Sequence, residues 1–493
     1  MRLRFGLVRL AAGLLAGVLA AAGAPAAGLT ECRVEGIPNS VQCGAIDRPL
    51  DPARAQGPQV RIHYVVVPAM ARRKLADPVF LLAGGPGQSA IQLAPSVLPL
   101  LSRLNNRRDV VFVDQRGTGR SAPLECEAAR REPLSDASDP ERQVRSLARC
   151  REALEKLPYV GGADGLRHFT TTVAMADLDA VRRALGAERI NLIGASYGTR
   201  AALEYQRLYP AAVRRSVLDG VAPPDMALPA SFSTDAQAAL DAVLDGCERE
   251  AACTTAHPHL RAHWRALLDS LPRTATVPDP LTGVPERIEV TREVLLGALR
   301  GPLYVPALAA ALPAAIDAAA DGRFEPLVGL GALLSSRKAA QWAMGMHFSV
   351  VCAEDLPRLA KSADAPGTDF GRDFARLYER VCADWPRGAV PPAFYAIATS
   401  RSPVLLLSGG LDPATPPRHA ARAAAALGPK ALSVVVPNAG HGVMALGCMR
   451  DVIYRFIDAA DDAGAAAVDA SCATRIPRPP AFQPVSGEPR PAS

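Results

Sequence analysis

The sequence predicts an α/β protein, a mostly parallel sheet flanked by helices and interrupted by a large, mainly helical cap. Three observations carry this. Apolar, β-branched runs alternate with helical stretches between residues 60 and 221, as in β-α units around a buried parallel sheet. A second set of such runs follows at 403–408 and 431–437. Between the sets lie about 175 residues of mostly helical pattern, far more than the roughly 30 residues of one β-to-β crossover. Composition agrees. The 493 residues are 49 % hydrophobic, 21 % charged and 5 % aromatic, which excludes collagenous, coiled-coil and prion-like chains.

In chain order, the first thirty residues read as an export signal. Arg2, Arg4 and Arg9 precede an uncharged Leu/Ala/Gly run at 10–24, and small residues follow at Ala22, Ala24, Ala26 and Ala27. The run is too short and too rich in Ala and Gly for a permanent membrane anchor, so cleavage is expected near Ala26. The segment before Cys32 lacks the small residues of a lipoprotein signal. The expected destination is secreted or periplasmic. Taking the three arginines from the net charge of +6 leaves +3, nearly neutral for a chain of this size.

An oxidising destination lets disulfides persist. The ten cysteines fall in close sequential pairs, Cys32 with Cys43, Cys126 with Cys150, Cys247 with Cys253, Cys352 with Cys382 and Cys448 with Cys472, one connectivity among many. No C-x-x-C occurs, which removes zinc-ribbon and thioredoxin readings. His257, His259 and His263 have no metal-site spacing and are read as a solvated helix face, so no metal and no cofactor is expected.

The expected strands of the first core part, 27–222, are 61–68, 78–83, 109–114, 190–194 and 215–219. The cap, 223–400, is bounded by "APPD" at 222–225 and "RSP" at 401–403, with helices expected at 235–247, 258–271 and 306–320. The core resumes over 401–474, and the proline-rich end, 475–493, is expected to be a loose tail.

The chemistry concentrates at "NLIGASYGTRAALEY", where an apolar strand runs through Gly194, Ala195, Ser196, Tyr197 and Gly198 into a helix. A serine on such a strained turn is exposed above the sheet, and the small residues two positions either side permit the turn. Ser196 is the candidate nucleophile. Its partners are expected in the order Ser, acid, His. Asp412 follows one late strand and His441 the next, both at the carboxyl edge of the sheet that also carries Ser196. His441 would take the serine proton while Asp412 orients it. Asp219, after "RRSVLDG", is a rival acid, and His419 is read as a surface helix residue. The backbone N–H of Tyr197 and that of Gly85, in the loop Gly84, Gly85, Pro86 and Gly87, are the candidate oxyanion donors.

Taken together, "GGPG" at 84–87, "DQRGTGRS" at 114–121, "GASYGTR" at 194–200, "GGLDPATP" at 409–416 and "GHG" at 440–442 resemble the proline iminopeptidase and tripeptidyl aminopeptidase family of α/β-hydrolase serine peptidases, and within it the secreted tripeptidyl aminopeptidase-like branch. The resemblance covers nearly all of the chain after the signal. It implies Ser196, Asp412 and His441 as the triad and Gly85 with Tyr197 as the oxyanion hole. Two departures touch the surroundings of the oxyanion loop: Ala83 stands where many relatives have His, and Gln88, Ser89 and Ala90 replace a glycine-serine-glycine run. Relatives also resemble "HFSVVCAEDLP", with an acid soon after the cysteine. Glu354 and Asp355 are therefore candidates to bind a substrate ammonium.

The leading expectation is an exopeptidase acting on the free N-terminus of short peptides. An esterase or amidase on small acyl compounds is the second, since one triad serves both chemistries. A non-catalytic binding protein on a hydrolase scaffold is the third. Lys occurs at only five positions and basic residues are dispersed, with no P-loop and no early dinucleotide motif, so no nucleic-acid partner is expected. After signal removal no membrane partner is expected either.

Overall fold

The computed structural model describes residues 28–126, 139–335 and 342–482; the expected export signal lies outside them. Nine strands form one sheet in the order β1-β2-β3-β5-β4-β6-β7-β10-β11. They are β1 (Thr30–Cys32), β2 (Val41–Pro49), β3 (Gln59–Val67), β4 (Val79–Leu82), β5 (Val110–Val113), β6 (Ile190–Ala195), β7 (Val213–Asp219), β10 (Val404–Gly409) and β11 (Ala431–Val436). The first three pair antiparallel, and β3 pairs antiparallel with β5. From β5 through β4, β6, β7 and β10 to β11 every pairing is parallel. The central strands β4, β5 and β10 are buried at every position. Helices on both faces explain this, and explain why these strands read as mainly apolar runs.

One face is covered by helices Thr171–Ala184 and Tyr197–Leu208, which bring Leu178, Val181, Ala201 and Tyr205 onto Phe80, Leu192 and Leu406. Ala90–Val97 and Met449–Asp458 cover the other face with Ala90, Ala94, Val452 and Phe456. The chain between β7 and β10 builds a separate apolar cluster around Leu240, Trp264, Leu296, Leu299 and Ile316. One of its helices, Met344–Glu354, belongs instead to the sheet, where Met346, Phe348, Val350 and Val351 join the first cluster.

Two strand pairs escaped the sequence. β2 carries Gly44, Asp47 and Arg48, which break the apolar run. The hairpin β8 (Arg273–Pro278) and β9 (Pro285–Val290) lies inside the otherwise helical insertion and is mostly exposed, so its apolar positions are few. The five expected disulfides all form, with Cα–Cα separations from 5.1 to 6.5 Å. Part of the proline-rich end is anchored: the carbonyl of Ile476 accepts from Asn438, and the N–H of Phe482 donates to the carbonyl of Ala310 at 2.9 Å. That stretch therefore differs from the loose tail expected. Among the described residues no helix is long and apolar enough to cross a membrane.

Candidate active site

Strand order positions the site. β4 sits between β5 and β6, so the chain passes to one side of β4 and returns on the other, opening a crevice at the carboxyl ends of β4 and β6. The register pairs Leu82 with Gly194, which sets the loop after β4 beside the turn after β6. Ser196 occupies that turn with φ 54° and ψ −122°, a strained conformation for a non-glycine residue. Its N–H donates to the carbonyl of Asp219 at 2.8 Å. The turn leaves no room for a larger neighbour: a Cβ on Gly198 would lie 2.1 Å from the carbonyl oxygen of Leu82.

His441 stands over the next turn along the sheet edge. Its Nδ1 lies 2.9 and 3.0 Å from the two carboxylate oxygens of Asp412, which makes Nδ1 the protonated nitrogen and leaves the Nε2 lone pair free. Asp412 is buried and is fixed by an Asx turn, accepting from the N–H groups of Ala414 and Thr415 and from the Thr415 hydroxyl. The His441 N–H donates to the carbonyl of Tyr304, whose ring meets the imidazole edge-on at 5.0 Å. Burial works against the charged form of His441, but Asp412, through its charge and hydrogen bond, outweighs burial and holds the imidazole above its ordinary value. Burial pushes the other way on Asp412, and His441 prevails there, holding the carboxyl low.

Asp219, the rival acid, faces elsewhere. Its carboxylate accepts from the N–H groups of Val443 and Met444 at 2.9 to 3.0 Å, pinning the loop that carries His441. Ser196 and His441 both border the Asp219–Gly220 turn. A Cβ on Gly220 would come 3.2 Å from the His441 ring.

The oxyanion candidates lie on either side of Ser196. Tyr197 opens helix Tyr197–Leu208, so its N–H has no intrahelical acceptor. Gly85 adopts φ 111°, closed to most side chains, and Gly84 packs against Ser196, a Cβ there lying 3.2 Å from the serine Cβ. The cap holds this loop: the Ala343 N–H donates to the carbonyl of Gly87, and His347 Nδ1 lies 3.2 Å from that of Pro86. Burial lowers the His347 pKa to about 4, so the imidazole is neutral at pH 7 and Nδ1–H can donate.

Glu354 and Asp355 are placed differently from the ammonium receptors expected. Both are buried, and both already have partners. Asp355 takes a two-pronged ion pair from Arg200 at 2.9 and 3.0 Å and a bond from the Leu228 N–H. Glu354 accepts from the Thr171 N–H at 2.7 Å and the Thr171 hydroxyl at 2.9 Å, capping helix Thr171–Ala184. That hydroxyl is 2.7 Å from the Tyr197 phenol, so the carboxylates form a buried cluster behind the oxyanion-hole residue. Burial pushes Glu354 up to about 7 against the pull of Arg200. Thr171 carried no sequence signal of this role, and Arg200 none beyond its place in "GASYGTR". Removing the cation strands two buried carboxylates, so Arg200→Met is expected to cost about 3–5 kcal/mol, read as a lower urea midpoint. Arg200→Lys should cost less, losing the fork but keeping the charge.

Two histidine readings need correction. His419 is fully buried, with Nε2 2.8 Å from Asp235, because helix Pro417–Leu427 packs that face onto the cap helix Leu228–Arg249. His257 is buried and shares Asp317 with His263, so only His259 is fully solvated. A cavity of about 520 Å³ lies between the cap and helix Pro140–Leu154, lined by Gln143, Leu296, Val328, Phe370 and Phe374, and none of Ser196, Asp412 and His441 borders it.

Family models agree with this geometry. One described as alpha/beta hydrolase fold matches residues 77–279, and one described as TAP-like protein matches 367–472. The chain has the α/β-hydrolase fold. This α/β hydrolase is 32 % identical to the tripeptidyl aminopeptidase of Streptomyces lividans over 220 residues, 42 % of this chain and 40 % of that protein. It is 30 % identical to serine protease Hip1 of Mycobacterium tuberculosis over 203 residues, 38 % of this chain and 37 % of that protein. Carboxylesterase B of Mycobacterium tuberculosis is 28 % identical over 422 residues, 76 % of each chain. The chain thus spans about two fifths of the length of the aminopeptidase it matches. The peptidase-family resemblance of the motifs is met by these relatives and by the TAP-like segment.

Proposed function

We propose that this α/β hydrolase is a secreted or periplasmic serine exopeptidase that releases one to three residues from the free N-terminus of short peptides. The observation that carries the reading is the His441–Asp412 pair at the sheet edge that holds the strained Ser196 turn. The peptidase relatives and the TAP-like segment support the peptide class. Five disulfides support an oxidising destination.

In this reaction His441 Nε2 takes the Ser196 proton as Oγ bonds to the scissile carbonyl carbon. The oxyanion is held by the N–H groups of Gly85 and Tyr197 at the positive end of a helix. Imidazolium then returns the proton to the leaving amine as the C–N bond breaks. Water, deprotonated by the same nitrogen, attacks the acyl-enzyme and releases Ser196. Asp412 fixes the tautomer and stabilises the imidazolium.

The base must be neutral to act, so kcat/KM is expected to fall as pH drops through the His441 pKa. Asp412 raises that pKa, which places the midpoint above about 6.5. Asp412→Asn removes the charge, and residual activity should show its acid limb at lower pH. A pH–rate profile of the two proteins checks this.

An esterase is the second reading, favoured by the alignment with carboxylesterase B over three quarters of the chain. A panel of aminoacyl, dipeptidyl and tripeptidyl chromogenic amides, each with free and acetylated N-terminus, alongside short-chain esters, separates the two. Cleavage of free-amine amides over acetylated ones is expected. Hydrolysis of esters with no amide cleaved would overturn the peptidase.

A further inference from the structure

The reaction leaves one cation beside the site unused. Arg300 lies on the cap helix Arg292–Leu303, one turn before Tyr304. Its guanidinium carbon is 4.2 Å from the Phe232 ring centroid, 5.1 Å from Phe374 and 5.5 Å from Tyr304. One nitrogen donates to the Tyr304 hydroxyl at 2.8 Å, and Nε is buried with no acceptor. No carboxylate among the described residues pairs with it. Two fully buried arginines are treated differently: Arg200 has Asp355, and Arg116 has Asp177, each held by two hydrogen bonds.

Arg300 is also close to the chemistry. Tyr304, which it touches, lies edge-on against His441 and accepts the His441 N–H on its carbonyl. Its charge is felt at His441 and at His347, which contacts the oxyanion loop. Aromatic faces hold the cation in place at little cost, but they leave in-plane donors open. In a site partly withdrawn from water, such a fork binds a carboxylate strongly and through two hydrogen bonds.

We propose that Arg300 is the receptor for a substrate carboxylate close to the scissile bond, supplied by the C-terminus of a short peptide or by an acidic side chain. The proposal rests on the peptidase reading and narrows it to a charge class of substrate.

The test compares kcat/KM for one tetrapeptide sequence in three forms: free C-terminal acid, C-terminal carboxamide, and carboxamide with Glu in place of a Gln next to the scissile bond. The wild-type protein is expected to favour a carboxylate form over the neutral one by about tenfold or more. Preference for the free acid assigns the C-terminus, and preference for the Glu form assigns the side chain. In Arg300→Met the ratio should collapse to within about twofold, and Arg300→Lys should keep only part of it. Fluorophosphonate labelling of Ser196 confirms that each variant is folded. No preference in the wild type, or an undiminished ratio in a labelled Arg300→Met, overturns the proposal. Should Arg300→Met not label, Arg300→Lys decides, and a ratio within about twofold of wild type overturns it. If no peptide is cleaved, the peptidase reading fails by itself. The same ratio is then read on the mono-p-nitrophenyl ester of adipic acid against its carboxamide.

Discussion

Replacing Ser196 with alanine is expected to lower kcat by about a millionfold toward any acyl substrate, while the fold is retained. The loss is this large because Oγ forms the covalent bond itself, and no other hydroxyl can substitute on a turn so tightly enclosed. Glycine at 198 is needed for the approach to Leu82, and the loop of Gly84 packs directly on the serine. Alanine suits the site sterically and relieves some of the strain of φ 54° only slightly, so unfolding midpoints of the two proteins should nearly coincide. Residual turnover would come from the oxyanion donors and substrate binding alone. Progress curves on the best amide or ester substrate measure the difference.

Asp412→Asn is expected to cost about 10⁴-fold in kcat, whereas Asp219→Asn should cost less than about tenfold. The two carboxylates are both buried at the ends of neighbouring strands, and sequence order alone left both open as the acid. Their partners separate them. Asp412 lies 2.9 Å from His441 Nδ1, and an asparagine there would present an N–H to that nitrogen and favour the wrong tautomer. Asp219 holds backbone N–H groups of Val443 and Met444, so its loss loosens the His441 loop without altering the imidazole. Comparable loss in both variants would mean that loop position, and not Asp412, governs the base.

The parts of the fold that were legible in the sequence are those with a single dominant force. Buried parallel strands such as β4, β6 and β10 read as mainly apolar runs, and the serine and acid loops directly follow β6 and β10, as the histidine loop follows β11. What was illegible depends on tertiary partners. The hairpin β8–β9 is mostly exposed and has little apolar signature. His419 is a polar residue on a helix of mixed pattern, and only its contact with Asp235, 184 positions away in sequence, explains its burial. Glu354 and Asp355 look from sequence like two acids at a helix end. Their roles are set by Thr171 and Arg200, 183 and 155 positions away. Arg300 carried no motif at all, and its place beside His441 follows only from how the cap sits on the core.

The most direct test of the account is to map the adduct formed with a fluorophosphonate. After reaction of the full protein and proteolytic digestion, mass spectrometry should find one phosphonyl group, on the peptide containing Ser196. The label should disappear in Ser196→Ala, and its rate of formation should fall steeply in Asp412→Asn. Labelling of Ser196→Ala at wild-type stoichiometry, or an adduct at another serine, would contradict the assignment of Ser196 as the nucleophile.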